Sequence, residues 1–173
     1  MNYLSKLSIA ALFCAMTLIS GETQKMALPF NITPDMYAEF MAKSLEGNLP
    51  HTFKHKELSL SVNRVYTQSN KVFFQSTTKQ YQQILNELYT YKTLPDDLKK
   101  QCKDFSKVAM VDKGVEYYLS VEEGSKKFIV VYDKEACGEQ FDPAKKIFIG
   151  GYNRYGYDMN GRTKIENQAK KSL

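Results

Sequence analysis

Apolar residues recur every three or four positions around residue 40 and every two positions from residue 58, which predicts a helix followed by strands. Thr33 and Pro34 predict the N-cap and first turn of this helix, and Gly47 its end. The apolar positions of the helix are Met36, Tyr37, Phe40, Met41 and Leu45. Leu58, Leu60 and Val62 then alternate with polar residues, and a turn at 68–70 leads into an apolar run at 72–74. This pattern predicts a β-hairpin.

A second helical region and a second hairpin follow. Apolar residues at helical spacing extend from Tyr81 to Tyr91 and, beyond Pro95, from Leu98 to Val108. Pro95 is compatible with two helices or with one bent helix. Alternation at 115–122 and an apolar run at 128–132, with a turn at 123–125 between them, predict the second hairpin.

The order helix, hairpin, helix, hairpin predicts an α+β fold, with an antiparallel sheet and helices packed on one face. The 173 residues are 43% hydrophobic and 25% charged, which excludes disordered, collagen-like and coiled-coil classes and fits one domain. We expect residues 22–142 to form this domain. Residues 143–173 are expected to form a basic, Tyr- and Gly-rich extension, which could add an edge strand.

Residues 1–21 have the pattern of a secretory signal peptide. Lys6 precedes an almost unbroken apolar stretch at 7–19, and small residues at 20–21 suit cleavage. About 13 apolar residues extend roughly 20 Å, which is less than the roughly 30 Å of a bilayer core. We therefore expect export to the periplasm or the extracellular space, without an integral membrane span after cleavage.

Three cysteines are present, and Cys14 lies inside this apolar stretch. It follows the bulky Phe13, which does not fit a lipidation site, so we expect Cys14 to be removed with the signal. The remaining pair, Cys102 and Cys137, is the even count that predicts a disulfide in an exported chain. Closing that 35-residue loop would stabilise the fold by about 3–4 kcal/mol. The cysteines and histidines lack zinc-finger spacing, and we expect no metal site and no cofactor.

These positions give the chain a resemblance to small exported bacterial α+β domains with one helix-to-sheet cystine, most of which are functionally uncharacterised. The resemblance covers roughly residues 33–137 and rests on the two cysteines and on Gly114 and Val115, which open a Tyr-rich strand. By element order and cystine alone, the chain also distantly resembles the disulfide-bearing pilotins of type II secretion, which bind a helix of the secretin and carry it to the outer membrane. That resemblance implies a binding module without a catalytic site. Those pilotins are lipoproteins, however, and Cys14 does not fit lipidation.

Catalytic motifs are missing from the sequence, which has no GxSxG, HExxH, Walker A or GxGxxG. On a helix, His51 and His55 would share one face and could act as two metal ligands or an acid–base pair. Lys54 and Lys56 oppose cation binding, and we favour an exposed connection between helix and strand.

Two acidic pairs have structural explanations. Residues 96–97 follow Pro95, where carboxylates are stabilised by the positive end of a helix dipole. Residues 122–123 lie at the expected hairpin turn, where solvated charge is common. Neither pair has the contrasting environments that acid–base catalysis requires.

Positive charge is concentrated in the extension, because residues 143–173 carry a net charge of +5 and residues 22–142 a net charge of −1. Interleaved tyrosines and glycines would suit nucleic acid, anionic lipid or an acidic protein. The weak candidates for anion binding are Lys145, Lys146, Arg154, Arg162 and Lys164. We favour the alternative, in which 146–149 adds an edge strand and the chain end is solvated.

Two functions from different classes remain. The first is an exported, disulfide-stapled module that binds another envelope or secreted protein through an apolar groove or a sheet face. The second is a small secreted hydrolase that acts on an anionic polymer with His51 or His55 and a carboxylate brought near by folding. We favour the interaction module and predict no catalytic residue.

Overall fold

The computed structural model describes residues 31–55, 57–89, 96–138 and 146–149. These residues form an α+β fold, as predicted. The helices are α1 (Pro34–Glu46), α2 (Tyr81–Tyr89) and α3 (Asp96–Val108), followed by a 3₁₀ turn at Val111–Lys113. The strands are β1 (His51–His55), β2 (Leu58–Gln68), β3 (Lys71–Thr77), β4 (Glu116–Glu123), β5 (Lys126–Tyr132) and β6 (Ile147–Ile149).

The six strands of the described chain form one sheet, whose spatial order is the chain order from β1 to β6. Neighbouring strands are antiparallel except β3 and β4, which are parallel from Lys71 opposite Glu116 to Thr77 opposite Glu122. The predicted antiparallel sheet is therefore mostly confirmed and wrong at this pair. The reason is that α2 and α3 lie between the two strands and return the chain to the end where β3 begins.

The predicted order of helix, hairpin, helix, hairpin is incomplete. Residues 51–55, expected as an exposed connection, form the edge strand β1, which pairs with β2 from His51 opposite Val62 to His55 opposite Leu58. Apart from its two histidines, the segment has a single apolar side chain, Phe53. It therefore has no alternating hydrophobic pattern, and pairing of its backbone with β2 makes it a strand. Two separate helices follow the first three strands, and β6 extends the second hairpin at the other edge.

Both predicted hairpin turns are present. Ser69 has a φ of 53° in the two-residue turn between β2 and β3. The side-chain amide of its neighbour Asn70 donates to the carbonyl of Gly114 at 2.6 Å, which ties this turn to the start of β4. Gly124 has a φ of 59° in the turn between β4 and β5, a conformation that favours glycine.

The start of α1 also follows the prediction. The Thr33 side chain accepts a hydrogen bond from the backbone N–H of Met36 at 3.3 Å, and Pro34 is the first helical residue. Gly47 caps the other end in a right-handed conformation, with a φ of −67°.

A β-bulge in β2 changes which of its side chains face the core. Val62 lies opposite Ser76 and Arg64 opposite Gln75, so Asn63 is the extra residue. Because side chains alternate between faces, this insertion allows Val62 and Val65 both to be buried in the core between sheet and helices. That core combines all three helices with one sheet face, and its largest fully buried members are Tyr132, Phe128, Leu45, Leu119, Val62, Val72, Val111, Val115, Val121 and Val130.

The opposite sheet face carries a smaller aromatic cluster. The ring of Phe73 stacks between Tyr66 and Tyr118, with centroids 5.0 and 4.8 Å away. The buried members of this cluster are Phe73, Tyr118, Ile129, Val131 and Phe148.

Candidate interaction surface

The predicted disulfide between Cys102 and Cys137 is present, with their Cα atoms 5.6 Å apart. It joins the middle of α3 to the turn that follows β5. The buried Tyr132 hydroxyl donates to the carbonyl oxygen of Cys102 at 2.8 Å and lies 2.9 Å from Ser106 Oγ. The cystine and these hydrogen bonds fix α3 against the sheet.

Two further tyrosines hold the end of α3. The Tyr37 hydroxyl donates to the carbonyl oxygen of Val108 and the Tyr117 hydroxyl to that of Ala109, each at 2.8 Å. Carbonyls at the end of a helix have no partner within it, so these two bonds satisfy groups that would otherwise need water. Burial raises the pKa of Tyr37 and of Tyr117, and both phenols therefore remain neutral donors at physiological pH.

Met36 and Val108 correct the sequence analysis, because both were expected in the buried faces of their helices. Met36 is 49% exposed and Val108 is 70% exposed. The buried side of α1 begins at Tyr37 and continues through Met41 and Leu45. Beyond Phe105 the core position belongs to Ala109, which directly follows α3 and is 1% exposed. Val108 and Ala109 lie three and four residues after Phe105 and both fit the helical spacing, so packing decides which of them is buried.

These two exposed residues lie on α1 and α3, the helices that the hydrogen bond from Tyr37 to Val108 joins. Tyr37, whose hydroxyl reaches Val108, directly follows Met36. Phe40 lies one turn beyond Met36, is half-buried, and has its ring 6.4 Å from that of Tyr37. We call Met36, Phe40 and Val108 the helix-junction patch. Single exposed apolar residues are ordinary, whereas contiguous exposed apolar patches are typical of interaction sites, which makes these residues a candidate surface.

The histidine pair lies on the strand β1, and not on a helix or on the exposed connection that the sequence favoured. Four residues of β1 separate the backbones of His51 and His55 by about 13 Å. On a helix, residues at this spacing would be only about 6 Å apart, so the strand does not provide the close pair that a helix would. The ring of His51 packs on Phe53, with centroids 4.7 Å apart. Among the described residues no group of three or more His, Cys, Asp or Glu side chains could hold a metal ion.

Glu122 is more constrained than the solvated turn residue that the sequence predicted. Its carboxylate is 2.7 Å from Lys127 Nζ and accepts a hydrogen bond from Ser120 Oγ at 2.8 Å. Partial burial raises the pKa of Glu122, but these two hydrogen bonds and the lysine charge outweigh burial and hold the pKa below its ordinary value. The contact joins β4 to β5 across the hairpin.

Lys146 is the one anion-binding candidate that the described residues include. It is buried, and its ammonium lies 2.6 Å from a carboxylate oxygen of Asp133 and 3.4 Å from one of Glu135. The strand β6 follows it directly, as in the alternative that the sequence favoured. Lys145, Arg154, Arg162 and Lys164 lie outside the described residues, as do the signal segment and Cys14, and those expectations stay predictions.

Two features of α3 are not evident from the hydrophobic pattern of the sequence. One is the exposure of Val108, because Val108 and Ala109 lie three and four residues after Phe105 and both spacings fit a buried helix face. The other is a row of lysines at 99, 103 and 107, which lie four residues apart and therefore on one side of the helix. None of the helices in the described chain is both long and apolar enough to cross a membrane.

Comparison with known proteins gives two similar solved structures. No family model matches the chain, and no curated protein does. The type II secretion system pilotin AspS from Vibrio cholerae has 16% identity and a TM-score of 0.37, over 60% of this chain and 92% of that one. The type 2 secretion system pilotin EpsS from Vibrio vulnificus has 16% identity and a TM-score of 0.35, over 64% of this chain and 89% of that one. Both are pilotins, as the predicted resemblance has it, but at scores this low we infer nothing about function from them.

Proposed function

We propose that the protein is an exported interaction module whose helix-junction patch binds another envelope or secreted protein. The observation that carries the proposal is the exposure of Met36 and Val108 at a junction fixed by the bond from Tyr37. Apolar side chains held on rigid helices lose little conformational freedom on binding, which favours recognition of a partner.

Export is supported by two features of the chain. The N-terminal 21 residues have the composition of a secretory signal, and the Cys102–Cys137 disulfide is typical of oxidising compartments. The hydrolase alternative, which needs a histidine beside a carboxylate, has no comparable support: the ring of His51 packs on Phe53, and none of the described contacts joins it to Asp or Glu.

Site-specific photo-cross-linking tests this proposal. A photoreactive phenylalanine analogue is introduced at Val108 and, as a matched control, at Ile149, which is 58% exposed at the sheet edge formed by β6. Irradiation of the envelope fraction and of the culture medium should give a discrete protein adduct from position 108 alone. Mass spectrometry then identifies the partner.

The second part of the experiment introduces Met36→Glu into the protein that carries the photoreactive residue at position 108. A carboxylate in the patch should abolish the adduct at position 108 with little change in the thermal unfolding midpoint, because Met36 is 49% exposed and is not one of the buried core residues. Equal adducts from positions 108 and 149, or an adduct at 108 that survives Met36→Glu, would refute the patch as the binding surface.

A further inference from the structure

We infer that α3 carries a second surface, separate from the helix-junction patch, that binds the anionic headgroups of a phospholipid bilayer. It consists of Lys99, Lys103 and Lys107, which we call the lysine row. This inference does not depend on the proposed protein partner.

The lysine row lies on the solvent side of α3. At 100° per residue its three members fall within an 80° sector, whose centre lies about 160° from the core residue Phe105 and about 100° from Cys102. The row extends about 12 Å along the axis. Lys103 and Lys107 are exposed and Lys99 is half-buried, while the neighbouring Lys100 is exposed at the edge of the row.

The ammonium groups of the row are available to a ligand. Within the described residues, ion pairs engage Lys43, Lys127 and Lys146, and none of the three row lysines has one. Asp96 and Asp104 lie three residues from Lys99 and Lys107, which makes them neighbours on the helix surface, but neither forms an ion pair with the row in the described chain. The row therefore presents unpaired positive charges, of which Lys103 and Lys107 are exposed and Lys99 is partly so.

The row and the helix-junction patch occupy different sides of α3. Going around the helix from Lys107, Lys100 lies at about 20°, Asp104 at about 60° and Val108 at about 100°. A partner at the patch would leave the row accessible, so both contacts could form together.

A bilayer fits this row better than an acidic protein does. The lysines lie on the outward side of a single helix, which is a convex surface that a flat bilayer can contact along its length. Their long, flexible side chains can follow the mobile charges of lipid headgroups. The cystine at Cys102 and the tyrosines at the end of α3 hold this surface rigid. Each lysine near an anionic membrane strengthens binding about fivefold.

Vesicle co-sedimentation of the full chain tests the inference. The vesicles contain about 30% phosphatidylglycerol in phosphatidylcholine, with pure phosphatidylcholine as the neutral reference. Lys99→Gln/Lys103→Gln/Lys107→Gln should weaken partitioning onto anionic vesicles about tenfold or more. The corresponding triple Lys→Arg variant keeps the charge and should keep the binding, and single Lys103→Gln should lose about fivefold.

The matched control removes the same charge elsewhere. Lys54, Lys79 and Lys126 are exposed and lie outside α3, and their triple Lys→Gln variant should bind nearly as well as the parent chain. Equal losses in both triple variants would overturn the inference, since net charge alone would explain them. So would failure of the parent chain to bind anionic vesicles, or row-dependent binding to poly-L-glutamate without vesicle binding, which would indicate an acidic protein partner instead.

Discussion

The hydroxyl of Tyr37 donates a 2.8 Å hydrogen bond to the backbone carbonyl of Val108, a residue 71 positions later in the chain. This contact joins α1 directly to the end of α3, whereas the cystine at Cys102 joins the middle of α3 to the turn after β5. Helix α3 is thus held at two points about one and a half turns apart. Its solvent-facing side chains project from a fixed frame, which is what a binding surface needs.

Tyr37→Phe should destabilise the fold by about 0.5–1.5 kcal/mol, the usual net contribution of one hydrogen bond. The ring and its packing remain, so the loss isolates the bond to Val108. Urea unfolding followed by circular dichroism measures the change. Tyr89→Phe is the control, because Tyr89 is 43% exposed and no described contact involves its hydroxyl. Equal shifts in the two variants would show that the bond to Val108 contributes nothing measurable.

Replacing both Cys102 and Cys137 by alanine should lower the free energy of unfolding by about 3–4 kcal/mol, because the open 35-residue loop gains entropy in the unfolded chain. Reductant should shift the parent chain by a similar amount and leave the double variant unchanged. The measurement is denaturant unfolding with and without reductant, together with intact mass. Two freely alkylated thiols in freshly isolated protein would contradict the disulfide itself.

Local signals predicted the elements that short-range chemistry determines. The cap at Thr33, the turn residues Ser69 and Gly124, and the alternation in β2 all act within a few residues. Strand β1 and the parallel pairing of β3 with β4 depend on partners far along the chain, which periodicity does not report. The helix-junction patch was missed for a related reason, since Val108 and Ala109 fit the helical spacing almost equally and only packing decides which is buried.

Glu122→Gln should destabilise the protein slightly near pH 7, by less than about 1 kcal/mol, because this ion pair is partly exposed and screened by solvent. The pKa of Glu122 is lower in the folded protein than its ordinary value of 4.5. Its stabilising contribution is therefore complete above that value and is lost as pH falls through the lower folded pKa. Thermal unfolding from pH 7 to pH 3 should show the parent and variant converging. A difference that grows on acidification would contradict this sign.

Two truncations measure how much β6 and the residues that follow it contribute to stability. A chain that ends after Asp142 loses Lys146, with its ion pair to Asp133, and the strand β6. It also loses the buried side chains of Ile147 and Phe148. Burial of two such side chains contributes roughly 3–6 kcal/mol, so this truncation should be strongly destabilised or unfolded.

A chain that ends after Gly150 keeps β6 and removes the remaining residues of the basic extension. It should unfold within about 1 kcal/mol of the parent, because it keeps β6 and the buried side chains of Ile147 and Phe148. Urea unfolding of both truncations measures the difference, and a buried Phe148→Ala variant of the full chain, expected to lose about 3–5 kcal/mol, checks that β6 is responsible. If the Asp142 truncation were as stable as the Gly150 truncation, β6 would not contribute to the fold, because pairing with β5 and burial of Phe148 are what this strand adds.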